Sequence, residues 1–323
     1  MSLGSKAGAS APGSPRSPVP KEAQLANGQD GPVIGRVLIE RHQGAETRQP
    51  IIGKIQRELG RPVVTFFTSF TFPVMVEDAD ADMLEGVLQK LDLSNGLALV
   101  ISSPGGEPLA AERIINVCRA YSGTGEYWAI VPGKAKSAAT MICFGASRIV
   151  MSPTSELGPV DPQLTTVEEG VVKRFSVHNI VRSYEELFSK AVGEQGNLQP
   201  YLQQLQNYDE REIREFKAAI ALSEDIAVRT LAAGMMRGKP EADIKKCIEL
   251  FLTPERKKTH GRPIYREEAA TCGLSVELPD VRSKLWKLVY ELYIRTDNFV
   301  RTEVSKCIES KSHSFMAARP EGK

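Results

Sequence analysis

Two short stretches of this chain hold residue types that could cleave an acyl bond. Ser102-Ser103-Pro104-Gly105-Gly106-Glu107 closes the apolar run 97–101, and Lys134-Ala135-Lys136-Ser137-Ala138-Ala139-Thr140 follows the run 127–131. Each leads into a helical pattern, at 109–121 and 138–146. A Gly-Gly corner exposes backbone N–H groups, and a serine at the first turn of a helix exposes a hydroxyl beside more of them. Brought together, the corners would supply a nucleophile and donors for the oxyanion that its attack creates. Each corner also has a plainer use. A tight turn after a strand takes glycine for its positive φ, and serine is a common helix N-cap. The order strand, Gly-Gly, helix, strand, serine, helix, strand favours chemistry, because it sets both corners at the carboxyl ends of parallel strands, where α/β folds place their sites.

The elements that must hold those corners can be read on both sides of them. Residues 62–69 (PVVTFFTS) are β-branched and aromatic and read as a buried strand, and 148–151 as another. Asp78-Ala79-Asp80-Ala81-Asp82 precedes Met83, Leu84, Val87, Leu88 and Leu91. Carboxylates ahead of an amphipathic run mark a capped, solvated helix N-terminus in preference to a metal site. Strands alternating with helices at this spacing predict βαβ units and a mostly parallel sheet. Nearly unbroken apolar strands predict a sheet covered on both faces. Residues 33–41 read as a strand or an extended arm, and 49–59 as a short helix. Beyond Asp161 the pattern is helical, with helices over 179–192, 209–237, 240–252 and 265–272, the last stopped by Gly273. A helix over 281–300 carries Val281, Leu285, Leu288, Val289 and Leu292 on one stripe, either to cover the domain or to meet another subunit. The division is a disordered Ser/Gly/Ala/Pro tail at 1–32, one domain over 33–278, the amphipathic helix within 279–300, and a loose tail at 301–323.

The whole chain narrows the function classes. Its 323 residues can bury a sizeable core. A formal net charge of +1 argues against nucleic acid or an anionic membrane surface as partner. No apolar run approaches the roughly 18–20 residues of a membrane span, and residues 1–20 lack the apolar core of a signal peptide. The cysteines (Cys118, Cys143, Cys247, Cys272, Cys307) are odd in number, far apart and free of any C-x-x-C pair, which reads as reduced thiols in a cytoplasmic protein. His42, His178, His260 and His313 are too scattered for a metal cluster, so neither a metal nor an organic cofactor is expected.

Four strings then carry a resemblance. Ser103-Pro104-Gly105-Gly106, Ala135-Lys136-Ser137-Ala138-Ala139-Thr140, Arg148-Ile149-Val150-Met151 and Ser155-Glu156-Leu157-Gly158-Pro159-Val160-Asp161-Pro162-Gln163 resemble the serine dehydrogenase proteinase family, a branch of the Clp protease/crotonase superfamily related to signal peptide peptidase A. His260-Gly261-Arg262-Pro263-Ile264, with Glu268-Ala269 and Gly273-Leu274, is similar to the family's later motif, and the likeness spans residues 63–276. It implies an α/β fold, a Clp/crotonase-like ββα superhelix with a helical C-terminal part. Ser137 falls where the family places its nucleophile, and Gly105, Gly106 and the Ala138 N–H fall at its oxyanion hole. Many relatives carry Gly-Gly where this chain has Ala138-Ala139.

The resemblance also frames the search for a base. The histidine of a Clp-type triad is missing from the loop that here reads Gly158-Pro159-Val160-Asp161-Pro162. Relatives of signal peptide peptidase A use a lysine farther along. Lys190 lies 53 residues beyond Ser137, and a lysine acts as a base only where burial lowers its pKa. Lys173 and His178 compete in a similar window. Lys136 adjoins Ser137, but neighbouring side chains at a turn diverge, and His260 reads as a loop histidine. Pro159 and Pro162 stiffen the loop that carries Glu156 and Asp161. Asp161 either bonds backbone donors or walls the cleft and orients the base. The implied activity is peptide-bond hydrolysis through an acyl-enzyme on Ser137, acting on a peptide or unfolded protein laid in as a strand, by a homo-oligomer. Two other readings stay open. One is a crotonase-like enzyme whose N–H pair holds an acyl-CoA enolate. The other is an inactive oligomeric scaffold of the same fold.

Overall fold

The computed structural model describes residues 32–40, 44–168, 171–253 and 262–320. The expected tail as far as residue 31, His42 and His260 lie outside the described residues. Helix α1 (Val33–Ile39) replaces the strand or arm expected there. Its Val37 is buried and its Arg36 lies 3.8 Å from Glu291, a partner far along the chain that no local pattern reveals. A 3₁₀ turn (Ala45–Thr47) leads into α2 (Gln49–Leu59), which has proline in its first turn and Gly60 at φ +65° as its C-cap.

The predicted alternation follows. It runs β1 (Val63–Thr68), α3 (Asp78–Leu88), β2 (Leu97–Ser102), α4 (Pro108–Tyr121), β3 (Tyr127–Val131), β4 (Lys134–Ala135), α5 (Ala138–Phe144), β5 (Arg148–Met151) and β6 (Glu156–Leu157). The segment after Asp161 first forms an antiparallel hairpin, β7 (Gln163–Glu168) and β8 (Val171–Ser176), where a helical pattern is expected. Helices α6 (Val177–Gly193), α7 (Gln199–Leu205), α8 (Glu210–Ala233), α9 (Glu241–Cys247), α10 (Glu249–Leu252) and α11 (Arg266–Thr271) come next. The described chain ends with β9 (Val276–Glu277), α12 (Lys284–Thr302), β10 (Lys306–Glu309) and β11 (Ser314–Ala317).

Among the described residues one seven-stranded sheet has the order β11-β10-β1-β2-β3-β5-β9. The strands β1, β2, β3, β5 and β9 are parallel, while β10 and β11 add antiparallel at the β1 edge. Successive strand residues point to opposite faces, and both faces are filled. Val64, Phe66, Leu99, Ile101, Ala129 and Ile149 pack with α3, α4, α5 and α8. Val63, Phe67, Ala98, Val100 and Ile130 pack with Trp286, Val289 and Leu292 of α12 and with α2. The fold is therefore a mixed α/β one with a central, mostly parallel sheet and a helical C-terminal part. Of the apolar stripe, Leu285, Leu288, Val289 and Leu292 cover the sheet, while Val281 precedes α12 and is exposed.

The loose tail expected over 301–323 is a correction. Lys306 and Glu309 look like solvated charges in sequence, yet both are buried in β10. Glu309 receives the Arg48 guanidinium through Nε (2.6 Å) and Nη2 (2.8 Å), with both side chains fully enclosed. A charge of either sign is tolerated inside only when so paired. The pairing partners sit more than two hundred residues away, and this is why the strand is invisible locally.

Candidate active site

The two corners meet. Ser103 N–H donates to Lys134 O and Lys136 N–H to Ser103 O, each at 3.0 Å, so a parallel bridge ties the end of β2 to β4. Gly105 sits at φ +96°, and its own N–H donates to Ser103 Oγ (3.1 Å). A side chain at Gly105 would overlap Lys136 O and come within 2.7 Å of Ser137 Cβ and 2.9 Å of Ala138 N. On the opposite side Val76 pairs with Gly106. Its N–H donates to Gly105 O and its carbonyl accepts from Glu107 N–H, both at 2.8 Å. A side chain at Gly106 would overlap Val76 N and O. The diglycine is thus needed for close approach on two sides as well as for its turn.

Ser137 occupies the N-cap position of α5 at φ 51° and ψ −122°. It is the one non-glycine residue with positive φ among the described residues. That backbone is strained by about 1–3 kcal/mol, and such strain concentrates at functional sites. A serine on a tight strand-to-helix turn presents its hydroxyl clear of the sheet edge. Here the carbonyl of Ser137 accepts from Thr140 (2.8 Å) and Met141 (3.2 Å), while the half-buried side chain makes no capping bond. The simple N-cap use is set aside. Among the described hydrogen bonds, neither Gly106 N–H nor Ala138 N–H has an acceptor. Gly105 N–H, expected as a third donor, is taken by Ser103. The two uncommitted amides therefore belong to the two corners that pack together at Ser137, and amide donors of this kind can stabilise an oxyanion.

The surroundings brace this turn. Thr140 Oγ1 donates to Ala135 O (2.8 Å) and accepts from Gly158 N–H (3.0 Å). Lys136 Nζ lies 2.8 Å from Glu156 Oε2 and donates to Leu157 O (3.1 Å), so its ammonium is turned to β6. Burial draws the Lys136 pKa down, against Glu156, which pulls it up. Asp161 is buried and accepts from Gln163 Nε2 (2.8 Å) and Ser176 Oγ (3.2 Å), fastening the base of the β7–β8 hairpin.

None of the three expected bases makes a hydrogen bond to Ser137 among the described residues. Ser137 Oγ has no hydrogen-bond partner among the described residues. Lys190 is exposed on α6, beside an open cleft lined by Ser183, Glu186, Gln204 and Tyr208, and Lys173 is exposed on β8. His178 is half-buried at the start of α6, where it shares a small cavity with Asp161, Ser223 and Glu224. No group of three or more His, Cys, Asp or Glu side chains able to hold a metal occurs among the described residues. No helix among them is long and apolar enough to cross a membrane.

Sequence reasoning missed Val76, Ser103 Oγ and the buried Asp80. Their one signal was the capping pattern at Glu77–Asp80, where Glu77, not an aspartate, is the N-cap of α3.

Comparison with known proteins adds the following. The chain is 27% identical over 265 residues to the uncharacterized protein MJ0137 of Methanocaldococcus jannaschii, covering 80% of this chain and 79% of that one. It is 30% identical over 131 residues to the uncharacterized protein MJ1495 of the same organism, covering 39% of this chain and 40% of that one. A solved structure, a point mutant of the 1510-N membrane-bound stomatin-specific protease, aligns with 43% of this chain and 68% of its own at 17% identity, with a TM-score of 0.28, too slight a likeness to bear on function. Residues 36–185, which hold both corners and Ser137, match the family of ClpP-like SDH-type serine proteinases.

Proposed function

We propose that the protein is a serine peptidase that hydrolyses peptide bonds through an acyl-enzyme on Ser137. The observation that carries this reading is the strained Ser137 turn packed against the diglycine corner, with the amides of Gly106 and Ala138 uncommitted. In the proposed reaction Ser137 Oγ attacks the substrate carbonyl and loses its proton to a base. The two amides hold the tetrahedral oxyanion, the amine departs with a proton, and water then frees the acyl group. The substrate is an extended segment of peptide or unfolded protein.

For the base, burial favours His178 over Lys190 and Lys173, which are both exposed. His178 also lines the same small cavity as the buried Asp161 and lies within the segment that matches the family, whereas Lys190 lies beyond it. The same proposal places the protein in a reducing, cytoplasmic compartment, on the support of five cysteines that lie far apart in sequence with no C-x-x-C pair. It also includes a homo-oligomer, which would cover the exposed Phe188 and Val192 of α6 and Leu202 of α7.

The test is cleavage of a quenched-fluorescence peptide pool by the full chain and by Ser137→Ala, His178→Ala and Lys190→Met. Loss in Ser137→Ala and His178→Ala, with cleavage kept in Lys190→Met, is the expected result. Cleavage that survives in Ser137→Ala would refute the peptidase reading. Turnover of acyl-CoA thioesters by that variant would favour the crotonase-like one.

A further inference from the structure

One hold on the segment beside the diglycine corner comes from the far end of the chain, outside the segment that matches the family. Lys306, the first residue of β10, is only 4% exposed. Its ammonium donates to Glu77 Oε1 (2.6 Å) and Asp80 Oδ2 (2.9 Å). Asp80 is fully buried, and the same Oδ2 accepts from Glu77 N–H (2.9 Å). Its other oxygen, Oδ1, is buried without a partner, so the hold on this carboxylate runs through Oδ2 alone. Glu77 directly follows Val76, whose N–H and carbonyl form the two rungs on either side of Gly106. There is no slack beyond that point. Gly106 lies too close to Val76, and Gly105 too close to Lys136 and Ser137, for even a methyl group to fit. A displacement of Glu77 must therefore pass through Val76 to the corner beside Ser137.

We propose that Lys306 is a positioning residue of the candidate active site: by gripping Glu77 and Asp80 it holds Val76, and through Val76 it holds Gly105–Gly106 in the register that packs Gly105 against Ser137 and leaves the Gly106 N–H without an acceptor. The positioning role rests on the peptidase reading, while the grip itself is a property of the fold. A lysine that merely stabilised the core would, on removal, loosen the whole domain. Removal of a clamp loosens one path, and it slows the chemistry without weakening the approach of a reagent.

The test uses the full chain as wild type, Lys306→Met and Lys284→Met. Lys284 is an exposed lysine of the same C-terminal region, paired with Glu58 at 2.7 Å. Amide hydrogen exchange is followed by mass spectrometry, and fluorophosphonate inactivation is resolved into a maximal rate and a half-saturating concentration. Lys306→Met is expected to speed exchange in peptides covering 74–80 and 103–108 by about tenfold or more, with the 284–302 peptides unchanged. Its maximal inactivation rate is expected to fall about tenfold to a hundredfold at an unaltered half-saturating concentration. Lys284→Met is expected to change neither. Should Lys306→Met fail to fold, Glu77→Gln removes the charge from one of the two contacts, at a side chain that is 55% exposed, and it is expected to give a smaller shift in the same peptides. Unchanged exchange in those peptides, or an increase spread evenly over the domain, would overturn the proposal. So would an unaltered inactivation rate in a variant whose 103–108 peptides exchange faster. A wild type that never labels at Ser137 would refute the peptidase reading instead, and the exchange pattern alone would then decide the grip.

Discussion

Gly105→Ala is the substitution whose effect the structure defines most closely. At φ +96° an alanine costs about 1–2 kcal/mol for its backbone alone. Its Cβ would also overlap Lys136 O and press on Ser137 Cβ and Ala138 N at 2.7 and 2.9 Å. These neighbours are backbone or lie next to it, so they cannot swing aside, and overpacking of that kind costs about 1–3 kcal/mol. The sum, about 2–5 kcal/mol, is a large part of the roughly 5–15 kcal/mol typical of a domain, so labelling is compared under conditions where the urea curve shows the variant folded. The corners must separate to admit the methyl group, and a misplacement of about 1 Å at a catalytic site costs on the order of a hundredfold in rate. Gly125→Ala supplies the control. Gly125 has φ +69° but open space around the missing Cβ, so its cost is the backbone term of about 1–2 kcal/mol, with no effect on Ser137. Urea unfolding and the second-order rate of fluorophosphonate labelling measure the two effects. Equal destabilisation by the two variants, or wild-type labelling by Gly105→Ala, would refute the packing of the corners described above.

Other consequences can be measured with the same preparations. Ser137→Gly removes backbone strain of about 1–3 kcal/mol at an entropic cost near 0.5–1 kcal/mol, so urea unfolding should show it about 1 kcal/mol more stable while it loses all labelling. Ser137→Ala should lose labelling without that gain. Glu309→Gln leaves the Arg48 guanidinium enclosed without its counter-charge, and denaturation should report a loss of about 3–5 kcal/mol. Burial raises the Asp80 pKa, against the lowering pull of the Glu77 amide and the Lys306 ammonium. The native state then holds a proton that the unfolded state has released, so stability falls as pH rises from the ordinary value of 3.8 to the raised one. Wild type should therefore gain stability relative to Asp80→Asn as the pH is lowered through that window. A gap between the two that does not vary with pH would contradict this.

What could be read from the sequence was what neighbouring residues encode. The runs at 97–101 and 127–131, each ending in a corner, gave two parallel strands and their order, and Ser137 stood out because small residues and a helix follow it. The family resemblance rested on the same strings. The misreadings share a cause, which is partners distant in sequence. Lys306 and Glu309 resemble solvent-facing charges until Asp80, Glu77 and Arg48 are brought to them. Residues 33–39 could not be told from a strand because the surface that selects a helix, around Glu291, comes much later. Residues 163–176 have the β-branched content of a hairpin but adjoin a longer helical pattern, and it is the pairing of the two strands with each other that sets their conformation. At the site itself, Gly105 was expected to donate to an oxyanion. Its N–H is bound instead by the Ser103 side chain, a hydroxyl whose direction only the folded turn reveals.

The most direct test of the central claim is to treat the full chain with a fluorophosphonate and map the adduct by tandem mass spectrometry. A single adduct on Ser137, absent from Gly105→Ala at matched times and from Ser137→Ala at any time, is what the geometry predicts. An unmodified Ser137 under conditions that label a known serine hydrolase, or an adduct at another residue that persists in Ser137→Ala, would contradict it.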